Sequence, residues 1–379
     1  MPHHGRATHA INLFLALCPA IAIAIAGSSA ADEGAVGLPE HPATAIAKNE
    51  ARHGSITRTR YGVGARSYWI FEPDSPRPES APVLVFTHGW LAMNPGIYGA
   101  WLDHLVRRGA IVIYPTFQEG WGDDPETFLP RSIEAVRDAL DVLRTSNRHI
   151  KPDLRRFGLI GHSTGGVIAA RIAAASTKAG LPPPRFVLAV TPGELVRTQG
   201  PTLERLSRDL LLVVVAAEHD LAVGDAQARE LFAEAKSIPR DRKLYVLFRS
   251  DLRGRPGILA DHLAPTAASP EFDTGDGPLH GFQMTAAAVD AFDRSGLWRV
   301  ADMTGDAAFA GRSLDEATDS GRAFRNLGYW TDGRPVAPPL VANDLEEIPR
   351  FILPHGFRLV PWHAPTFGAG QRTAPPAPR

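Results

Sequence analysis

The chain has 379 residues, 44% of them hydrophobic and 21% charged, with a formal net charge of −1. This length exceeds one average domain but suits a large α/β domain with decorations. The balanced charge excludes the broad basic surface that nucleic acid or an anionic membrane would require.

Residues 1–30 carry a polar start with Arg6, an apolar run from Ile11 to Ala26, and small residues at Ser28-Ser29-Ala30. That pattern predicts a cleaved export signal; a retained anchor is the alternative, although the run is short for a bilayer. Cys18 follows Leu17, where lipid attachment would want a small residue. Cleavage after Ala30 leaves no cysteine, so a disulfide and a thiol nucleophile are both excluded from the exported chain. The expected location is the periplasm or the medium, with no stable membrane insertion.

Residues 31–55 are polar and rich in Ala and Gly, and are expected to form a loosely ordered lead-in. Ser67 to Phe71 and Pro82 to Thr87 are predicted strands, followed by a helix from Tyr98 to Arg108 that stops at Gly109. Ala110 to Tyr114 is a further strand. Arg131 to Arg144 forms an amphipathic helix with Ile133, Val136, Leu140 and Leu143 on one side. Phe157 to Ile160, Arg185 to Val190, Leu210 to Ala216 and Lys243 to Phe248 complete the strand series, with a helix from Ala226 to Ala235 before the last. Strands that alternate with helices predict a mostly parallel sheet with helices on both faces. Residues 56–300 are assigned to this domain. Residues 301–370 form a C-terminal extension, polar and without clear strands to residue 350, that either packs on the body or shapes a lid. The tail 371–379 holds Pro375, Pro376 and Pro378 and is expected to be disordered.

The strand Phe157 to Ile160 meets an Ala-rich helix starting near Val167 through Gly161-His162-Ser163-Thr164-Gly165-Gly166. One sharp turn must reverse the chain here, which brings backbone segments too close for side chains at Gly161 and Gly165. Ser163 is left exposed at a helix N-terminus, where amides favour a developing anion. A serine hydroxyl becomes a nucleophile only when a base takes its proton and an acid orients that base. After the strand Leu210 to Ala216, Asp220 lies where ligand-facing residues of open α/β sheets collect; Glu218 and Asp225 are alternatives. After the last strand, His262 is the candidate base and His280 the runner-up. His162 is expected to point into structure, and His219 precedes the last strand. The break at His88-Gly89-Trp90-Leu91 offers a second oxyanion donor beside the Thr164 amide. Trp90 is assigned, with Leu91 one residue away, and His88 is read as ordering the loop. Trp90, Trp121 and Tyr98 are candidates for the substrate-pocket wall. Scattered histidines offer no metal spacing, no G-x-x-x-x-G-K loop is present, and no cofactor is expected.

Together, His88-Gly89-Trp90, Gly161-His162-Ser163-Thr164-Gly165-Gly166, Glu218-His219-Asp220 and Asp261-His262-Leu263-Ala264-Pro265 resemble the α/β-hydrolase superfamily. The likeness is to secreted bacterial cutinase-like and polyester-hydrolase enzymes, with chlorophyllase-like and dienelactone-hydrolase-like esterases as near relatives. It covers roughly residues 56–295, and Thr164, His219, Asp261 and Leu263 depart from the usual motif residues. The family's disulfides are impossible here, and the segment after residue 300 is foreign to its compact form. The resemblance implies the α/β-hydrolase fold and ester cleavage through Ser163, His262 and Asp220, on a small-molecule or polymeric ester. The oligomeric state is not readable. A lipase, thioesterase or amidase on the same scaffold is the alternative, and a catalytically silent binding protein on that scaffold is the reading from a different class.

Overall fold

The computed structural model describes residues 51–194, 197–254 and 256–350. The export signal predicted over residues 1–30, nearly all of the lead-in and the proline-bearing tail lie outside the described residues.

Nine strands form one sheet: β1 (Ser55–Tyr61), β2 (Ser67–Asp74), β3 (Ser80–Thr87), β4 (Ile111–Thr116), β5 (Lys151–His162), β6 (Phe186–Val190), β7 (Leu211–Ala217), β8 (Lys243–Phe248) and β9 (Leu340–Ala342). Their spatial order is β1-β2-β4-β3-β5-β6-β7-β8-β9. Strands β3 to β8 run parallel, while β1, β2 and β9 make antiparallel pairings at the edges. The central strands are buried on both faces and therefore read as continuous apolar runs, which is why they were legible.

Alternation along each strand divides the core in two. Leu84, Phe86, Tyr114 and Val215 pack with helix α1 (Gly99–Arg107) on one face. Val83, Val85, Ile113 and Val214 face α2 (Phe128–Thr145), α3 (Thr164–Ala179) and α4 (Ala226–Glu234) on the other. After β3 the chain crosses to β4 by way of α1; after β5 it leaves by α3 on the opposite face. The strand order therefore reverses between β3 and β5, which opens a crevice beyond their carboxyl ends. Thr87 and Gly161 are register partners, so the loops that follow these strands lie side by side.

Two edge strands were not expected. In β1, Ser-Ile-Thr-Arg-Thr-Arg-Tyr pairs on one side only and carries a polar pattern suited to an edge. β9 adds three residues to the outer edge of β8, within a stretch expected to lack clear strands. A short helix α5 (His280–Ala286) precedes α6 (Trp298–Phe309) and α7 (Leu314–Thr318). The division expected at residue 300 falls inside α6. Trp298, Val300, Ala301 and Ala308 join the core on the α1 face, followed by Leu314, Phe324, Leu327 and Trp330. The described part of the extension thus packs on the body. Its signal was hidden because much of the buried face of α6 is made of the small residues Ala301, Thr304, Gly305, Ala307 and Ala308.

Candidate active site

β5 ends at His162 and α3 begins at Thr164, so Ser163 alone makes the turn, with φ 56 and ψ −125. This left-handed backbone is unusual for a residue with a Cβ and costs about 1–3 kcal/mol. The surroundings enforce it. A Cβ on Gly161 would come within 2.2 Å of the Gly165 carbonyl oxygen, and one on Gly165 within 2.1 Å of the Thr87 oxygen. The Thr87 hydroxyl donates to the Gly165 carbonyl at 2.7 Å, which ties β3 to the first turn of α3.

Ser163 Oγ lies 2.9 Å from His262 Nε2, and His262 Nδ1 lies 2.8 Å from Asp220 Oδ2. Asp220 is fully buried, and its Oδ1 accepts the Ala222 and Val223 amides at 3.0 Å each. With Asp220 ionised, Nδ1 carries the proton and donates it, leaving Nε2 as the acceptor that faces the serine hydroxyl. Burial alone would lower the His262 pKa, but the charge and hydrogen bond of Asp220 outweigh it and hold the imidazole above its ordinary 6.5. The Asp261 side chain accepts the Leu263 and Ala264 amides at 2.9 Å each, which curls the loop around the base.

The alternatives are engaged elsewhere. Glu218 accepts the Ser250 amide at 2.9 Å, and Asp225 pairs with Arg229. His280 meets Asp273 at 2.8 Å, and His219 meets the Ser250 hydroxyl at 2.7 Å. The structure thus brings Ser163, His262 and Asp220 together and leaves their rivals apart.

Beyond β3, Leu91 takes a left-handed φ of 59 and folds the loop back. The Gly89 amide donates to Tyr98 Oη at 3.0 Å, Leu91 to Gln118 Oε1 at 2.7 Å, and Ala92 to the Gly89 carbonyl at 3.0 Å. Trp90 N–H, in contrast, has no acceptor among the described residues. Gln118 therefore separates the two candidate donors: it occupies Leu91 and leaves Trp90. Thr164 is the first residue of α3, where amides lack intrahelical partners. His88 stacks on Phe117 at 3.9 Å between centroids, and burial pushes its pKa down to about 4. Its Nδ1 contacts the Gly89 carbonyl at 2.6 Å, within the loop.

A cavity of about 90 Å³ adjoins Ser163 and His262, with walls that include Ile97, Val223, Leu263, Leu279 and Phe282. Trp90 and Tyr98 also border it. Trp121 does not, so its assignment to the pocket wall is corrected: it sits on the loop after β4, beyond the cavity. The Trp90 ring packs edge-on against Phe128, 5.4 Å between centroids. Tyr98 is fully buried, and its hydroxyl lies 2.7 Å from His162 Nδ1. Gln118 and α5 were not anticipated; only their neighbours in space reveal their part. A larger cleft of about 420 Å³, bordered by Arg60, Trp69, Met93, Gln118, Glu119 and Asp276, contains none of the three candidate catalytic residues.

The α/β-hydrolase-fold family matches residues 84–258, a stretch that contains the second half of β3, the Ser163 turn, Asp220 and β8. The chain has the α/β-hydrolase fold. It is also 31% identical over 144 residues to the esterase LipI of Mycobacterium tuberculosis. That match covers 37% of this chain and 43% of the relative, so the chain spans less than half the length of the curated protein it matches. On the α/β-hydrolase scaffold described here, no cluster of His, Cys, Asp or Glu able to hold a metal occurs among the described residues. Among the same residues, no helix is long and apolar enough to cross a membrane.

Proposed function

We propose that the protein is an exported serine hydrolase that cleaves carboxylic esters with small acyl groups through an acyl-enzyme intermediate. The observation that carries this reading is the chain from Ser163 Oγ to His262 Nε2 and from His262 Nδ1 to Asp220, at 2.9 and 2.8 Å. Ser163 Oγ attacks the acyl carbon while its proton passes to His262 Nε2, and Asp220 stabilises the imidazolium. The Trp90 and Thr164 amides hold the oxyanion. His262 then returns the proton to the leaving alkoxide, and the C–O bond breaks. Water attacks the acyl-enzyme, again giving its proton to His262, and Ser163 is regenerated with release of the carboxylic acid. No cofactor enters these steps. Export rests on residues 1–30 alone.

The acyl limit rests on volume. An apolar cavity that holds benzene measures about 150 Å³; the space beside Ser163 is about 90 Å³. The test is hydrolysis of p-nitrophenyl esters from acetate to palmitate, with Ser163→Ala alongside. Turnover should be highest for acetate to butyrate and abolished in the variant. A variant that keeps its fold and most of its activity would exclude Ser163 as the nucleophile. Failure of a fluorophosphonate to label Ser163 would make the scaffold a silent one.

A further inference from the structure

We propose that Tyr98 and His162 are positioning residues, a buried hydrogen-bonded strut that holds the oxyanion loop, the nucleophile turn and the base loop at fixed separations. This rests on the serine-hydrolase reading above. The strut runs through three segments far apart in sequence. The Gly89 amide, on the loop after β3, donates to Tyr98 Oη at 3.0 Å. Tyr98 Oη lies 2.7 Å from His162 Nδ1, and His162 Nε2 lies 2.9 Å from the backbone carbonyl of His262. Tyr98 is 0% and His162 3% exposed, so both side chains are buried with these partners.

The polarity of the strut follows from its ends. A backbone amide can only donate, so Tyr98 Oη accepts at Gly89 and its own proton turns to His162 Nδ1. The other end is a carbonyl, which can only accept, so His162 carries its proton on Nε2. Every donor then meets an acceptor with the imidazole neutral. Burial and the adjacent His262 keep its pKa well below 6.5, which agrees with that state. The ring neither reaches Asp220 nor bonds the Ser163 hydroxyl. It bears on the reaction by fixing the main chain of His262, whose ring accepts the proton, and by steadying the loop that presents the Trp90 amide.

Three substitutions dissect the strut. Tyr98→Phe keeps the ring that packs on Phe86 (5.0 Å between centroids) and removes only the bridging oxygen. In His162→Gln the amide nitrogen reaches as Nε2 does and keeps the bond to the His262 carbonyl; His162→Asn keeps an acceptor near Nδ1 and loses that bond. With p-nitrophenyl acetate, Tyr98→Phe and His162→Asn should lower kcat by about 10- to 100-fold at nearly constant KM, as displacement of reacting groups does. His162→Gln should recover part of that loss. Values of kcat within twofold of wild type for Tyr98→Phe and His162→Asn would overturn the strut.

A measurement on the unaltered protein guards against variants that do not fold. With ¹⁵N-histidine labelling, NMR should show His162 as the neutral Nε2–H tautomer at pH 7. The Nδ1–H tautomer, or a charged ring, would also overturn the strut. Loss of ester turnover and fluorophosphonate labelling in wild type would instead refute the underlying reading.

Discussion

Asp251 links the loop that carries the base to the segment that returns from the far end of the described chain. It is 6% exposed. One carboxylate oxygen accepts the Trp330 indole N–H at 2.8 Å and the Ala337 amide at 3.0 Å; the other accepts the Arg253 amide at 3.1 Å. Its own backbone pairs with Ile258, two residues before Ala260 and four before His262. Asp251→Ala removes the acceptor of the buried indole N–H and of the half-buried Ala337 amide, while the Arg253 amide can turn to water. Hydrogen bonds to a charged group contribute about 1.5–3 kcal/mol each, so losing two predicts a destabilisation of about 3–6 kcal/mol. Trp330→Phe preserves most of the packing and removes one bond, which predicts about 1–3 kcal/mol. Urea denaturation followed by tryptophan fluorescence measures both, and kcat should fall with Asp251→Ala because the base loop loses its anchor. A loss below about 1 kcal/mol with an unchanged m-value would show that the site relaxes or hydrates freely, and would refute the reasoning.

Two further expectations concern pH. His262 must be neutral to accept the serine proton and its pKa is held above 6.5, so kcat/KM should fall on acidification with a midpoint above 6.5; a midpoint below 6 contradicts the Asp220 interaction. His88 is buried and neutral with its pKa lowered to about 4, whereas the unfolded chain protonates near 6.5. The unfolded state therefore binds more protons between these values. Stability drops as pH falls through that window, by about 2 kcal/mol from this residue at pH 5. Urea midpoints at pH 7.5 and pH 5 should converge in His88→Gln relative to wild type, and an equal drop in both proteins would remove His88 as the cause.

The parts of the site that are local in sequence were legible in sequence. The glycines around Ser163 are demanded by contacts within a few residues and from β3, and Asp220 and His262 follow apolar strands whose ends can be read from their composition. What escaped depends on distant partners. Tyr98 and His162 are 64 positions apart, and His162 and the carbonyl it meets are 100 apart; each looks like ordinary core until the sheet brings them together. Edge strands β1 and β9 gain hydrogen bonds from one neighbour and need little apolar sequence, so their pattern resembles loop. Trp121 was placed in the pocket for its aromatic ring, although residue type cannot say which side of a loop a ring occupies. The boundary near residue 300 came from a fall in hydrophobicity that reflects the small residues of α6, which fit closely against the sheet.

The anchoring of the base loop by Trp330, Ala337 and the neighbouring β9 sets an order in time. During synthesis Ser163 emerges long before the residues that brace His262. At translation rates of about 5–20 residues per second, roughly 180 residues separate Ser163 from the end of β9, an interval on the order of ten seconds or more. On the proposed serine-hydrolase reading, the growing chain for that interval presents the nucleophile without the segment that braces the loop of its base.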